Sequence, residues 1–300
     1  IVIGVLVIVY TFSGGTKAVN VTQKQQMFVI MSGMFITFFL ILRYLPNDMT
    51  FTSALHIAGA NDKMNIVNFS FDPEEKYTFW SGITGGFFLA LAYFGTDQSQ
   101  VGRYLSGRSV KESQMGLIMN GLLKVPMQFF ILLTGVMVFV FFLFNPVPLN
   151  FNPNNKAMIE KSAYKGEYNA LEKKLDDLSE DKKVINLLYI DQLNQDYDNP
   201  TLRKELVTLS NKEKDLRDRA KEIILKADSN SETNDKDYVF FHFILNYLPK
   251  GLIGLLLAVI ISAAMSSTAS GLNALASTTA IDIYKRNVKV EKSERHYLNA

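Results

Sequence analysis

Residues 126–144 read PMQFFILLTGVMVFVFFLF, a run with no charged residue and no polar face. A helix on the surface of a soluble domain carries an apolar stripe that recurs about every 3.6 residues, with polar residues opposite it. No such stripe is present here, so the medium that suits this helix on all sides is hydrocarbon. Working outward, residues 25–42, 77–96 and 251–281 also lack Asp, Glu, Lys and Arg, and each approaches or exceeds the roughly 20 helical residues that cross a bilayer. The 48% hydrophobic content, averaged over 300 residues, conceals this segregation. The chain is therefore expected to be an all-α, multi-pass protein of the cell membrane.

The remaining bulk properties exclude more than they assign. A net charge of +2 gives no electrostatic reason to expect a nucleic-acid partner. The absence of cysteine removes disulfides, thiolate nucleophiles and thiolate metal sites. His56, His242 and His296 are scattered, and no histidine or paired carboxylates converge at membrane depth, so enzymatic activity is not expected. The chain opens at Ile1 inside an apolar run that has neither a basic leader nor a small-residue cleavage site. It reads as a fragment whose first residues end a spanning helix.

Five spanning helices are expected, at about 1–13, 23–43, 77–103, 115–144 and 251–284, with a turn at Gly14 and Gly15 between the first two. Basic residues of short loops stay on the cytoplasmic side. Lys17 and Lys24, then Arg103, Arg108 and Lys111, then Lys285, Arg286, Lys289, Lys292 and Arg295 all fall on one side of this alternation. The opposite side holds the acidic loop with Asp48, Asp62, Asp72, Glu74 and Glu75. Three parts follow: a first transmembrane portion of about four helices at 1–149, an inserted module at 150–237 on the outward side, and a second transmembrane portion with a cytoplasmic linker at 238–300.

The insertion holds more than half of the charged residues. Leu202, Leu206, Leu209, Leu216, Ala220 and Ile223 step by threes and fours, with Glu213 spoiling one position, and Leu171, Leu175 and Leu178 begin a similar stripe. With Asn199-Pro200 as the turn, two charged amphipathic helices forming an antiparallel hairpin are expected. Such a hairpin serves either as a solvated spacer or as a platform for a protein partner.

Within 251–284 the run SAAMSSTASGLNALASTTA, starting at Ser262, is dense in small and hydroxyl residues. Ala263, Ser266, Ser267, Ser270 and Ala274 recur at helical spacing on one face. Such a face either lets a neighbouring helix approach closely or holds a hard cation on hydroxyls and opened carbonyls near the bilayer midplane. A second constellation closes 77–103, where Gly95 and Thr96 invite a break before Asp97, followed by Gln98 and Gln100. An acidic residue near membrane depth is costly and therefore paired, with Arg103 as the nearest partner, or functional. The glutamines can both donate and accept hydrogen bonds to a polar solute.

GTDQSQVGRYLSGRS, followed by a long apolar helix and then LPKGLIGLLLAVIISAAMSSTASGLNALASTTAIDIYKR, resembles the sodium:solute symporter family of sodium/glucose, iodide, proline and sialic acid cotransporters. The resemblance covers about two-thirds of the chain, essentially all but the insertion. It implies part of the leucine-transporter fold, an inverted-repeat helical bundle entered at its fourth core helix, with the family's first core helix outside this sequence. It further implies Na+ held by the Ala263 carbonyl and the Ser266 and Ser267 hydroxyls, and a small solute as the second passenger. Asp97, Gln98 and Gln100 are the candidate solute-binding residues. Where many members carry Thr-Asp, this chain has Thr22-Gln23, and Ala269 stands where some two-sodium relatives have a hydroxyl. One sodium per cycle is therefore expected.

The function expected from the resemblance is sodium-coupled symport by alternating access. A sugar or sugar acid is the leading solute, with an organic anion or vitamin next. The alternative is a symporter-like membrane sensor that binds solute and signals through an attached or partner domain.

Overall fold

The computed structural model describes residues 2–61, 63–64, 67–72, 75, 78–105, 107, 109–195, 197–287, 293 and 296–297, and of these the side chains of 2–4, 6–19, 22 and 103 lie outside the description. Arg108, Lys289, Lys292, Arg295, Asp62 and Glu74, and the side chains of Lys17 and Arg103, are thus outside the described residues. All regular structure among the described residues is helical. In order it comprises α1 (Val2–Tyr44), α2 (Phe51–Ala60), α3 (Phe79–Gly95), α4 (Gln98–Leu105), α5 (Val110–Phe142), α6 (Pro153–Ile159), α7 (Lys165–Asn194), α8 (Pro200–Ala227), α9 (Lys236–Tyr247) and α10 (Lys250–Ser277). A π-helical stretch, Thr278–Lys285, continues α10.

Among the described residues three segments are long and apolar enough to cross a membrane: Gln23–Tyr44, Val110–Phe142 and Lys250–Lys285. They correspond to the expected helices at 23–43, 115–144 and 251–284. The turn expected at Gly14 and Gly15 is absent, because α1 runs without a break from Val2 to Tyr44. Glycine lowers helix stability by about 1 kcal/mol against alanine but keeps its N–H, so it weakens a helix without breaking it. Lys17 and Lys24 therefore sit in a helix rather than in a loop. The expected 77–103 helix is two pieces. Thr78 opens α3 in a reciprocal capping box with Ser81, and the chain leaves α3 at Thr96 before α4 begins.

The chain divides into two compact units, one comprising Ile1–Gly33, Val67–Gln128 and Gly254–Ala300, the other Met34–Ile66 and Phe129–Ile253. In the first, α1 and α10 run antiparallel. A Cβ on Gly33 would stand 2.9 Å from Leu256 Cδ2, so glycine permits the close approach there.

In the second unit, aromatic rings join α1, α5 and α9: Phe35 and Phe130 lie 4.4 Å apart, and Phe141 is 5.0 Å from Phe243 and 4.7 Å from Tyr247. The hairpin of α7 and α8 is the largest feature of this unit. Asn199 caps α8 by accepting the N–H of Thr201, and Pro200 occupies the first turn, where it sacrifices no helical hydrogen bond. Near the open end Tyr168, Leu171 and Leu175 pack on Ala220, Ile223 and Ile224. Near the turn Tyr189, Ile190 and Leu206 pack with Ile57 and Ala60 of α2. Ser53 Oγ donates to Asn194 Oδ1 at 3.1 Å, and Ser210 Oγ donates to Asn61 Oδ1 at 3.0 Å, which fixes the hairpin to the connection between α1 and α3. The apolar stripe that a partner helix would need is thus taken up by the chain's own residues.

Between the two apolar clusters lies a charged layer. Glu213 accepts from Lys182 Nζ and from Arg217 Nε, each at 3.0 Å, while Arg217 also donates to the carbonyls of Pro148 and Leu149 at 3.1 Å. Burial pushes the Glu213 carboxyl up, but the two cations and their hydrogen bonds outweigh it and hold the group below the ordinary carboxylate range. A depressed carboxylate favours the folded state above its unfolded pKa and loses that contribution as pH falls through the folded value. The thermal midpoint of the full-length protein should therefore fall more steeply below about pH 4.5 than that of a Glu213→Gln variant, and the two should vary in parallel from pH 6 to 8. Parallel curves throughout would remove Glu213 as the source.

Candidate functional site

Polar groups in hydrocarbon must satisfy one another, and three hydroxyls of α10 do so locally. Ser267 Oγ donates to the Ala263 carbonyl at 3.2 Å, Thr268 Oγ1 to the Ala264 carbonyl at 3.0 Å, and Ser270 Oγ to the Ser266 carbonyl at 3.0 Å. Back-bonding to the carbonyl four residues earlier is the ordinary way to carry Ser or Thr inside a helix. Ser266 departs from this pattern. It is 4% exposed, and its Oγ is buried without a hydrogen-bond partner. A buried hydroxyl left unpaired costs about 1–3 kcal/mol.

The packed face of α10 passes through Val259, Ser266, Ala269 and Ser270, with Ala263 and Ala274 half-buried at its edge. Ser267 is exposed. The expected five-residue face is therefore split by the 100° step between neighbours on a helix. The Ser266 hydroxyl is enclosed, while the Ser267 hydroxyl and Ala263 carbonyl form an adjacent oxygen pair.

Two α1 side chains reach this stretch. Gln26 Nε2 donates to the Ser262 hydroxyl at 2.6 Å and to its carbonyl at 3.0 Å, and Gln23 Nε2 stands 3.4 Å from Ser270 Oγ. Ser262 and Ser270 lie four residues to either side of Ser266, so the clamp brackets the unpaired hydroxyl. From sequence alone Gln23 stands out only as a missing charge, and Gln26 does not stand out at all. The available signal was two amides three residues apart, which places them on one helical face at the entry to an apolar run.

Asp97, Gln98 and Gln100 lie where α3 gives way to α4. Asp97 Oδ1 accepts the Ser99 N–H at 2.9 Å and the Ser99 hydroxyl at 2.7 Å, placing the carboxylate as the cap of α4. The Asp97 and Gln100 side chains are half-buried, and Gln98 is exposed. The pairing with Arg103 considered above falls on a side chain outside the described residues. Among the described residues no cluster of three or more His, Cys, Asp or Glu could hold a metal.

The sequence has relatives among known proteins. The family profile described as "Sodium:solute symporter family" matches residues 1–170 and 224–300. The chain belongs to the sodium:solute symporter family. As a symporter-family protein it is a multi-pass protein of the cell membrane and not an enzyme. Among relatives, the sodium/iodide cotransporter of Homo sapiens is 31% identical over 117 residues, which is 39% of this chain and 18% of that protein. Sodium-coupled monocarboxylate transporter 2 of Mus musculus is 33% identical over 118 residues, covering 39% of this chain and 18% of that protein. The putative sodium-dependent multivitamin transporter of Drosophila melanogaster is 29% identical over 117 residues, covering 39% and 19%. The match thus spans about a fifth of the length of these relatives. No solved structure matches the chain. The stretch outside the family match, 171–223, lies wholly within the hairpin and its turn, so this symporter-family chain carries most of α7 and α8 outside the sequence it shares with the family profile.

Proposed function

We propose that this chain is part of a sodium-coupled symporter that moves a small solute by alternating access, with sodium carried at Ala263, Ser266 and Ser267. The observation that supports this most is the enclosed, unpartnered Ser266 hydroxyl in a chain of this family. Sodium is satisfied by neutral oxygens, and this short stretch offers three of them, one carbonyl and two hydroxyls. The Ser266 hydroxyl is already stripped of partners. The Ser267 hydroxyl keeps its lone pairs for a cation, while the Ala263 carbonyl accepts both that hydroxyl and the helical N–H of Ser267, so it would join the ion only as the Ser267 hydroxyl turns away. The Gln26 and Gln23 amides steady the helix on either side, so the oxygens are held without the carboxylate that other members bring to the Gln23 position. That neutrality supports one sodium per cycle. One charge moving down a 100 mV potential supplies about 2.3 kcal/mol to drive uptake.

The solute reading follows from charge. The relatives are named for iodide, monocarboxylates and vitamins, which favours a small anion, sugar acids included, over a neutral sugar. Asp97 is engaged as a helix cap and would repel an anion, so Gln98 and Gln100, with their amide donors, are the better solute contacts. The test is uptake of radiolabelled pyruvate, gluconate and iodide into proteoliposomes of the full-length protein. Uptake of one of them should be several-fold faster in a sodium gradient than in a potassium gradient, and Ser267→Ala should raise the sodium concentration at half-maximal rate. Equal uptake in both gradients for all three would overturn the reading.

A further inference from the structure

The second unit contains a cavity of about 800 Å³ whose walls come from the hairpin and from the end of α5, a size that suits a small-molecule ligand. One wall is apolar and includes Val138, Phe139, Phe142 and Val239. The other is built largely from the stretch that lies outside the family match, including Ser179, Lys182, Asn211 and Lys214.

The charges on this lining do not balance. Glu213 is shared by Lys182 and Arg217, Asp218 is paired with Lys221 at 2.8 Å, and Asp235 Oδ2 accepts the Phe151 N–H at 2.8 Å. Every acidic group therefore has a partner. By contrast Lys63, Lys214 and Lys236, all exposed on the rim, make no ion pair among the described residues, and Lys63 lies over the Phe139 ring at 5.1 Å. Lys182 is 5% exposed and spends one of its three N–H donors on Glu213. An aromatic wall facing a lining that carries more ammonium groups than carboxylates suits a ligand with an apolar body and an anionic head.

We propose that this cavity is a binding site for a small carboxylate with an aromatic or branched body, created by the inserted hairpin and lined by no residue of α10. None of its lining residues belongs to α10, so the site neither needs sodium nor depends on the transport reading above.

The test uses the full-length protein in neutral detergent, without sodium, in equilibrium dialysis against radiolabelled benzoate. Saturable binding is expected, with at least a tenfold weaker affinity in a Lys63→Gln/Lys214→Gln/Lys236→Gln variant and no competition from benzamide, its neutral isostere. The three lysines are exposed, so the variant should keep the wild-type thermal midpoint, which a parallel melt checks. Unchanged affinity in the variant, or equal competition by benzamide, would overturn the proposal. So would displacement of the melting curve by phosphatidylglycerol with none by benzoate, an outcome that would assign the cavity to lipid headgroups.

Discussion

Ser266→Ala in the full-length symporter-family protein should raise the sodium concentration for half-maximal uptake by about ten- to a hundredfold while making the sodium-free protein more stable. The two signs have one origin. A hydroxyl that contacts a cation contributes about 1.5–3 kcal/mol, and each 1.4 kcal/mol is a factor of ten in affinity. Without the cation the same hydroxyl is enclosed and unpartnered, so its removal should relieve about 1 kcal/mol or more. A purely structural serine would give neither shift in this direction, since losing a packed side chain lowers stability. The measurement is a sodium titration of uptake beside thermal melts with and without sodium. An unchanged sodium response would exclude Ser266 as a ligand, and a lower sodium-free midpoint would exclude it as a strained orphan.

The second large effect is expected at the charged layer of the hairpin. Glu213→Ala would leave the Lys182 ammonium, 6% exposed at its side chain, and the Arg217 guanidinium facing each other with no anion between them. Removing one partner of a buried pair costs about 3–5 kcal/mol because the remaining charge is stranded. Glu213 keeps 24% side-chain exposure, which favours the lower end. A fall in melting temperature of about 6–12 °C is expected at 2–4 °C per kcal/mol. Replacing both Lys182 and Glu213, by methionine and leucine, should recover most of that loss, because the desolvation cost of both charges goes with them. A Glu213→Ala melt within 1 °C of wild type, on the order of 0.3 kcal/mol, would show that solvent or a rearranged side chain already compensates the pair.

The contrast between these two sites explains what could be read from sequence. The membrane spans were legible because hydrocarbon tolerates no charge, so the runs around Phe35, Phe130 and Leu256 are marked by composition alone. The hairpin was legible from Leu206, Leu209, Ala220 and Ile223, which are buried in the structure as the spacing requires. Glu213, by contrast, stood out only as a flaw in the stripe. Its partners Lys182 and Arg217 lie 31 residues before it and four after it, and only folding shows that they converge. Gly14 and Gly15 were misread because glycine signals both turns and tolerated helix interiors, and the local sequence does not separate the two. At the site, helical spacing brought out Ser266 and Ser267 together. That one hydroxyl is enclosed and its neighbour exposed depends on where α1 lies, and the amides of Gln23 and Gln26 that fix α1 there are common residues in many helices.

The hairpin also bears on how such a chain can change over generations. The chain leaves the sequence shared by its family after residue 170 and rejoins it at 224, and Tyr168, Leu171, Ile223 and Ile224 meet in a single apolar cluster at those two points. Departure and return are therefore at one place. A segment with that property can be acquired, lengthened or shed without displacing what precedes or follows it, since the flanking backbone is asked to span no new distance.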